Sequence, residues 1–346
     1  MSFPIDWYPI LDYHYRPVAK QLSDNHGTKR IVEMITPRPE IVLIASKNDD
    51  WRGPVEQLVS ERLESLTLDP ASPLPEALDL LSVKIMVASP KDAKVFAPHF
   101  PNLTWIQSTW AGIDALVGHI PESVSVTPLR GVFGQAMSEF VLGWILSLER
   151  NIIERAKAKI WDASPEAGVQ GKTMGILGTG SIGRAIAAAL QPLGIECRGM
   201  NSTGLPVPGF RKCFKSGDTE FFTGLDYCVS VLPKTEATNQ ILGGSAFDAM
   251  SNDAIVINVG RGNAIDDEAL VQALDNQRLS AAVLDVFATE PLPSTHLFWQ
   301  HPRIYITSHT AAPTAVDLVA VAMKRNLGRY LSGEVLDGLF VDAKGY

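Results

Sequence analysis

Cysteine is scarce and arranged in no framework. The sequence holds three, Cys197, Cys213 and Cys228, an odd number with no Cys-x-x-Cys spacing. That excludes a disulfide scaffold and a cysteine-ligated zinc site, and it fits free thiols in the reducing cytoplasm. His296 and His301 lie close together but lack a third ligand, so no metal site is expected. Long apolar runs are absent as well, none approaching the roughly 18 residues of a membrane-spanning helix. The N-terminal stretch MSFPIDWYPILDYHYRPVAK has no basic segment leading into an apolar one, so no secretory leader is expected. Basic blocks are missing too. With 30 Lys and Arg against 38 Asp and Glu, the net charge is −8, which argues against nucleic acid or an anionic membrane as partner. Repeats and low-complexity tracts are not found.

What is present is ordinary globular composition, 46% hydrophobic and 20% charged, over 346 residues. That length suits about two domains. The first forty residues are aromatic and weakly periodic, fit to wrap a domain without forming an element. A strand–helix alternation follows. Glu40–Ser46, Val83–Ala88, Leu103–Ser108 and Val124–Thr127 read as strands, and Val55–Leu66 carries apolar residues at helical spacing. A helix poor in charge spans Gln135–Asn151. A second alternation has strands at Lys172–Leu177, Ile195–Gly199, Leu225–Leu232, Ala254–Val259, Ala281–Val286 and Ile304–Thr307. Helices fit at Ile182–Gln191 and Asp266–Gln277, and a last one at Thr314–Leu331. Such alternation predicts an α/β protein with two doubly wound parallel sheets.

One turn carries chemistry on its own. Strand Lys172–Leu177 runs into Gly178-Thr179-Gly180-Ser181-Ile182-Gly183 and then a helix. A bare GxGxxG is weak evidence, but a strand before it and a helix after it supply its mechanism. Gly178 permits the tight turn, Gly180 lets backbone approach a pyrophosphate, and Gly183 allows close helix–strand packing. The helix N-terminus offers unpaired N–H groups to the phosphates. At the end of the next strand an NAD enzyme usually places Asp or Glu for the ribose. Here that end reads Arg198-Gly199-Met200-Asn201-Ser202-Thr203, without an acid. Asn201 and Ser202 offer donors to a 2′-phosphate instead, with Arg198 or Arg211 as candidate clamps. The pattern favours NADP(H), with NAD(H) as the alternative.

Further motifs sit just beyond strands of the same series, where open α/β sheets place their ligands. They are Val259-Gly260-Arg261-Gly262, Asp285 and Glu290 in LDVFATEPLP, and His309 in ITSHTAA. With LGTGSIG and VSVLPKTEATNQIL, these motifs in this order resemble the D-isomer-specific 2-hydroxyacid dehydrogenase family, from about residue 80 to the C-terminus. STWAGID and QAMSEFVLGWIL bring the chain nearest to its glyoxylate/hydroxypyruvate reductase branch. Ser308 departs from the proline common before the family's histidine.

The resemblance implies a Rossmann cofactor domain at residues 128–313 and a smaller flavodoxin-like substrate domain at 1–127, completed by 314–346. It implies Arg261, Glu290 and His309 as the catalytic set. Arg261 would bind the carboxylate of a small 2-keto acid in a planar fork and polarise its keto oxygen. His309 would donate the proton in reduction, and Glu290 would pair with it and stabilise its charged form. Backbone amides at Ala111, Gly112 and Ile113 would hold the carboxylate from the other side. Leu232, Pro233, Thr238 and Val259 would line the cofactor, and Asp285 would face the nicotinamide carboxamide. Trp110 and Trp299 are candidate pocket walls. The apolar helix and the resemblance together suggest a homodimer. Two rival readings use the same residues: oxidation of a phosphorylated acid such as 3-phosphoglycerate, and a nucleotide-sensing protein like the dehydrogenase-related corepressors.

Overall fold

The computed structural model describes residues 38–313 and 316–340. The aromatic N-terminal stretch, the start of the last helix at Thr314 and the final six residues lie outside the described residues. The chain opens with β1 (Ile41–Ile44), α1 (Arg52–Ser60), β2 (Ser65–Leu68), β3 (Ile85–Ala88), α2 (Pro90–Phe96), β4 (Trp105–Ser108) and β5 (Ser125–Thr127). The long α3 (Gly134–Glu149) and the short α4 (Ile152–Lys157) follow. Next come β6 (Thr173–Leu177), α5 (Ser181–Leu190), β7 (Glu196–Asn201), β8 (Lys212–Lys215) and β9 (Tyr227–Ser230). The described chain finishes with α6 (Gly244–Ala249), β10 (Ala254–Asn258), α7 (Asp267–Asp275), β11 (Leu279–Leu284), β12 (Ile304–Ile306) and α8 (Val316–Leu331).

Two sheets result, every neighbouring pair of strands parallel. The first is five-stranded in the order β2-β1-β3-β4-β5, and the second is seven-stranded in the order β12-β11-β10-β9-β6-β7-β8. Central strands such as IVLI, IMVA and AIVIN are buried along their whole length. Parallel strands covered on both faces need continuous apolar runs, and that is why these are legible in the sequence. The strand order reverses between β1 and β3 in the first sheet and between β6 and β9 in the second. Ligands bind in the crevices at the carboxyl ends of strands at such points.

Two strands escape the apolar pattern, and both lie at sheet edges. β8 reads KCFK with only Phe214 buried, and β2 reads SLTL with only Leu68 buried. At an edge a strand has one neighbour only and is partly open to solvent, so polar residues such as the lysines of β8 and the Ser and Thr of β2 are tolerated and the apolar run of an inner strand is lost. At β2 the apolar spacing of Leu63 and Leu66 reads as helix. The helix α1 in fact ends at Ser60, and Leu66 belongs to the strand.

The helices sort by their buried faces. On α8, Val319, Ala322, Met323 and Leu327 pack with Val55 and Val59 of α1 and with Ile41 and Leu43 of β1. Asn326 of α8, buried, donates to Gln107 of β4 at 3.2 Å and accepts from the Asp337 amide at 2.9 Å. The last helix therefore covers the first sheet. By contrast, Val141 and Ile145 of α3 join Met174, Ile176, Ile186 and Leu190 beneath the second sheet. The end of α3 is pinned there by Glu149, which accepts from the Tyr227 hydroxyl at 2.8 Å and from Lys172 Nζ at 2.9 Å. Burial, together with the Glu149 carboxylate, pushes the Tyr227 hydroxyl far above its ordinary pKa.

Candidate active site

The glycine turn closes the carboxyl end of β6. Gly178 sits at φ +101°, in the left-handed region that disfavours a side chain. A Cβ on Gly183 would overlap the Gly178 carbonyl oxygen, so α5 and β6 approach closely only because that position is bare. At Gly180 a Cβ would meet nothing within 4 Å, and no side chain caps the start of α5. The first amides of that helix, at Ser181 and Ile182, thus start a ten-residue dipole with no built-in anion. This cradle fits a pyrophosphate. Across the switch point, Leu232 and Pro233 follow β9. The buried Thr238 hydroxyl folds the loop back by donating to the Pro233 carbonyl at 2.8 Å and accepting from the Thr235 amide at 3.0 Å. Val259, just past β10, is buried beside them.

The end of β7 is more committed than expected. The Asn201 amide nitrogen donates to Thr179 Oγ1 and to the Leu205 carbonyl, both at 3.2 Å. Its oxygen accepts from the Thr203 and Gly204 amides and the Thr203 hydroxyl. Asn201 therefore shapes the turn, and the exposed Ser202 makes no side-chain hydrogen bond among the described residues. Glu196, at the opposite end of the strand, pairs with Arg211 and lies 3.9 Å from Arg198 Nε. Arg198 also donates to the Thr223 carbonyl at 2.9 Å, so both arginines already have partners away from this turn.

The remaining motifs converge at the carboxyl ends of β10, β11 and β12. His309 Nδ1 and Glu290 Oε2 are 2.9 Å apart, and Glu290 Oε1 accepts from the Phe287 amide at 2.9 Å. The carboxylate is thus held by backbone at one oxygen and holds the imidazole with the other. Nε2 is left as the ring's second hydrogen-bonding atom. Arg261 reaches across to the first sheet, donating from Nε to Asp114 Oδ2 at 3.0 Å and from Nη1 to the Gly260 carbonyl at 2.8 Å. Its Nη2 lies where a Cβ on Gly112 would be, so only glycine permits this approach. The turn at Ala111, Gly112 and Ile113 and the guanidinium thereby form facing walls of one cleft. Trp110, beside that turn, and Trp299 are both about half exposed, and Trp299 donates to the Pro293 carbonyl at 2.9 Å.

Asp285 has partners that the sequence does not disclose. It is 1% exposed, and Oδ1 accepts from Thr307 Oγ1 at 2.5 Å and the Thr310 amide at 2.8 Å. Oδ2 accepts from the Ala311 amide at 3.0 Å, and the Asp285 carbonyl takes the His309 amide at 2.8 Å. The carboxylate clamps the loop that carries His309, whose own φ is +55°. An Asp285→Asn substitution turns one acceptor into a donor facing an amide. It is expected to cost about 2 kcal/mol of stability and to lower turnover, checked by thermal unfolding and by kcat.

Residues 142–311 match the family model for D-isomer specific 2-hydroxyacid dehydrogenase, NAD binding domain. The glyoxylate/hydroxypyruvate reductase A of Yersinia enterocolitica is 31% identical over 250 residues, covering 68% of this chain and 79% of that protein. A crystal structure of a family protein from Aeromonas salmonicida superimposes with a TM-score of 0.77 at 35% identity, over 88% of this chain and 99% of the other. This chain belongs to the D-isomer-specific 2-hydroxyacid dehydrogenase family. Another family member, from Xanthobacter autotrophicus Py2 and solved with NADPH and MES, gives a TM-score of 0.80 at 28% identity, over 89% of this chain and all of the other. Family and fold together make this 2-hydroxyacid dehydrogenase relative an NAD(P)-dependent oxidoreductase with a dinucleotide-binding and a substrate-binding domain. Among the described residues no helix is long and apolar enough to cross a membrane.

Proposed function

We propose that this chain reduces a small 2-keto acid of the glyoxylate or hydroxypyruvate kind to the D-2-hydroxy acid, with NADPH preferred over NADH. The observation that carries the proposal is the His309–Glu290 pair, 2.9 Å apart, set beside an arginine that faces a backbone turn across the cleft. The amides of Ala111, Gly112 and Ile113 and the Arg261 guanidinium, which packs against Gly112, together form the site for the substrate carboxylate. Arg261 also lies against the keto oxygen and stabilises the negative charge that develops there. NAD(P)H, held by its pyrophosphate on the glycine turn, would supply the hydride. His309 gives a proton from Nε2 to the new alkoxide, while Glu290 keeps Nδ1 oriented and offsets the imidazolium charge. The similarity to the Yersinia reductase supports the substrate class, and the NADPH-bound Xanthobacter relative supports the coenzyme. The lack of an acid at Asn201-Ser202 agrees with that coenzyme choice.

With this proposal goes a division of the chain into a substrate unit, residues 1–127 with 314–346, and a dinucleotide unit, 128–313. Free Cys197, Cys213 and Cys228 suit a cytoplasmic enzyme. The decisive assay follows oxidation of NADPH and NADH with glyoxylate, hydroxypyruvate, pyruvate and 3-phosphohydroxypyruvate. Turnover of the small acids with NADPH at higher kcat/KM than with NADH is expected. Inactivity with every acid and both coenzymes would refute the proposal.

The proposed enzyme is a homodimer. Beyond α4, Trp161 stands 95% exposed next to an exposed Ile160. Arg155 holds that segment in shape by donating to the Asp162 carbonyl at 3.0 Å and the Ser164 carbonyl at 2.7 Å. A segment presenting large apolar side chains to solvent is a surface that a second copy would cover. Light scattering is expected to give twice the chain mass for the wild type and a shift towards the monomer for Trp161→Asp.

A further inference from the structure

Arg261 and Asp114 come from different sheets, and their contact is an ion pair across the cleft. Asp114 follows the turn at Ala111–Ile113 just past β4, whereas Arg261 follows β10. Of the five N–H donors of a guanidinium, Nε goes to Asp114 Oδ2 at 3.0 Å and one on Nη1 goes to the Gly260 carbonyl at 2.8 Å. Those two bonds act at separated points of a rigid plane, so the plane can neither spin about its stem nor lift off the turn. The remaining donors, on Nη1 and Nη2, are left for an anion, and Nη2 is the group lying over Gly112.

We propose that Asp114 is a positioning residue that fixes the guanidinium fork of Arg261 over the 111–113 turn from the opposite wall of the cleft. This rests on the reading of Arg261 as the carboxylate anchor. The side chains of Arg261 and Asp114 are 27% and 38% exposed, so their attraction is screened and adds little to stability. Its effect is geometric. A bidentate carboxylate contact needs the plane of the fork to match the plane of the anion, and a misplacement of about 1 Å costs up to about 100-fold in rate. Because the acceptor and the donor lie on opposite walls, an open cleft leaves Arg261 without this restraint. The opposite role is also chemically defined: a carboxylate on the same guanidinium competes with the substrate's carboxylate, and its removal would tighten binding. The geometry favours positioning, since Asp114 uses a single oxygen on Nε and leaves one hydrogen on Nη1 and both on Nη2 without a partner among the described residues.

The test measures kcat and KM for glyoxylate and for NADPH, and calorimetric binding of oxamate to the enzyme–NADP complex. It uses wild type, Asp114→Ala, Asp114→Asn and Arg261→Ala. With Asp114→Ala, the glyoxylate KM and the oxamate Kd are expected to rise about tenfold while the NADPH KM stays unchanged. Asp114→Asn, which keeps an acceptor of the same shape, should recover part of that loss. Unchanged or tighter oxamate binding in Asp114→Ala would overturn the proposal. If that variant fails to fold, Asp114→Leu, of similar size and without an acceptor, decides: a weakened Kd supports positioning and a wild-type or lower Kd refutes it. Should no keto acid turn over, oxamate binding that is lost in Arg261→Ala and weakened in Asp114→Ala would still uphold it, and only the substrate assignment would fall.

Discussion

An Arg261→Ala enzyme should retain its coenzyme affinity and lose on the order of 10³-fold in kcat/KM for its 2-keto acid, about 4 kcal/mol. The guanidinium is asked to do two things, and the substitution removes both. Under the proposed function it binds a carboxylate with charge-assisted hydrogen bonds, and it stabilises the charge that builds on the keto oxygen. The first loss appears in KM and the second in kcat, so both parameters should move. Arg261→Lys separates them in part. Lysine keeps the positive charge as a point but has no planar fork, and it cannot reach Asp114 and the Gly260 carbonyl with one flat group. Its activity should fall between those of wild type and alanine. Steady-state kinetics with the coenzyme saturating is the measurement, and an alanine variant within tenfold of wild type would remove Arg261 from the site.

His309→Asn should lower kcat by about 10²- to 10⁴-fold with little change in KM, because a proton donor is lost while the binding groups stay. Asparagine is the informative replacement. It tolerates the left-handed backbone at this position better than most residues, and its amide can still face Glu290. A loss of activity in this variant therefore reports the missing proton, with the loop intact. Glu290→Gln should lose less, since the neutral amide still orients Nδ1 and forfeits only the charge opposite the imidazolium. A His309→Asn enzyme with wild-type kcat would exclude the imidazole as proton donor.

Much of this site is legible in the sequence because its parts sit at one kind of place. Gly178–Gly183, Arg261, Glu290 and His309 each follow an apolar strand run, and an inner parallel strand announces itself through that run. The side chains that support them are not legible. Asp285 stands beside a strand end like its neighbours, but its bonds to Thr307, Thr310 and Ala311 depend on β11 and β12 lying side by side. No local pattern encodes that adjacency. Asp114 is one letter of STWAGID, and only the apposition of two domains brings it to Arg261. Asn201 reads as a donor for a ligand, whereas the turn it heads consumes all of its hydrogen-bonding capacity. The edge strands β2 and β8 escape a sequence reading for a related cause: each holds only two apolar residues among polar ones, so their signal is shared with helices and loops.

The backbone of His309, at φ +55°, sets function against durability at a single residue. A side chain in that region carries a conformational cost of roughly 1–2 kcal/mol that glycine avoids. The Asp285 clamp is what keeps the histidine there. A chain selected only for resistance to heat would exchange this histidine for glycine and lose the proposed proton donor in doing so. Thermal selection applied to this enzyme therefore needs activity as a second criterion, or residue 309 is among the first places where it will go astray.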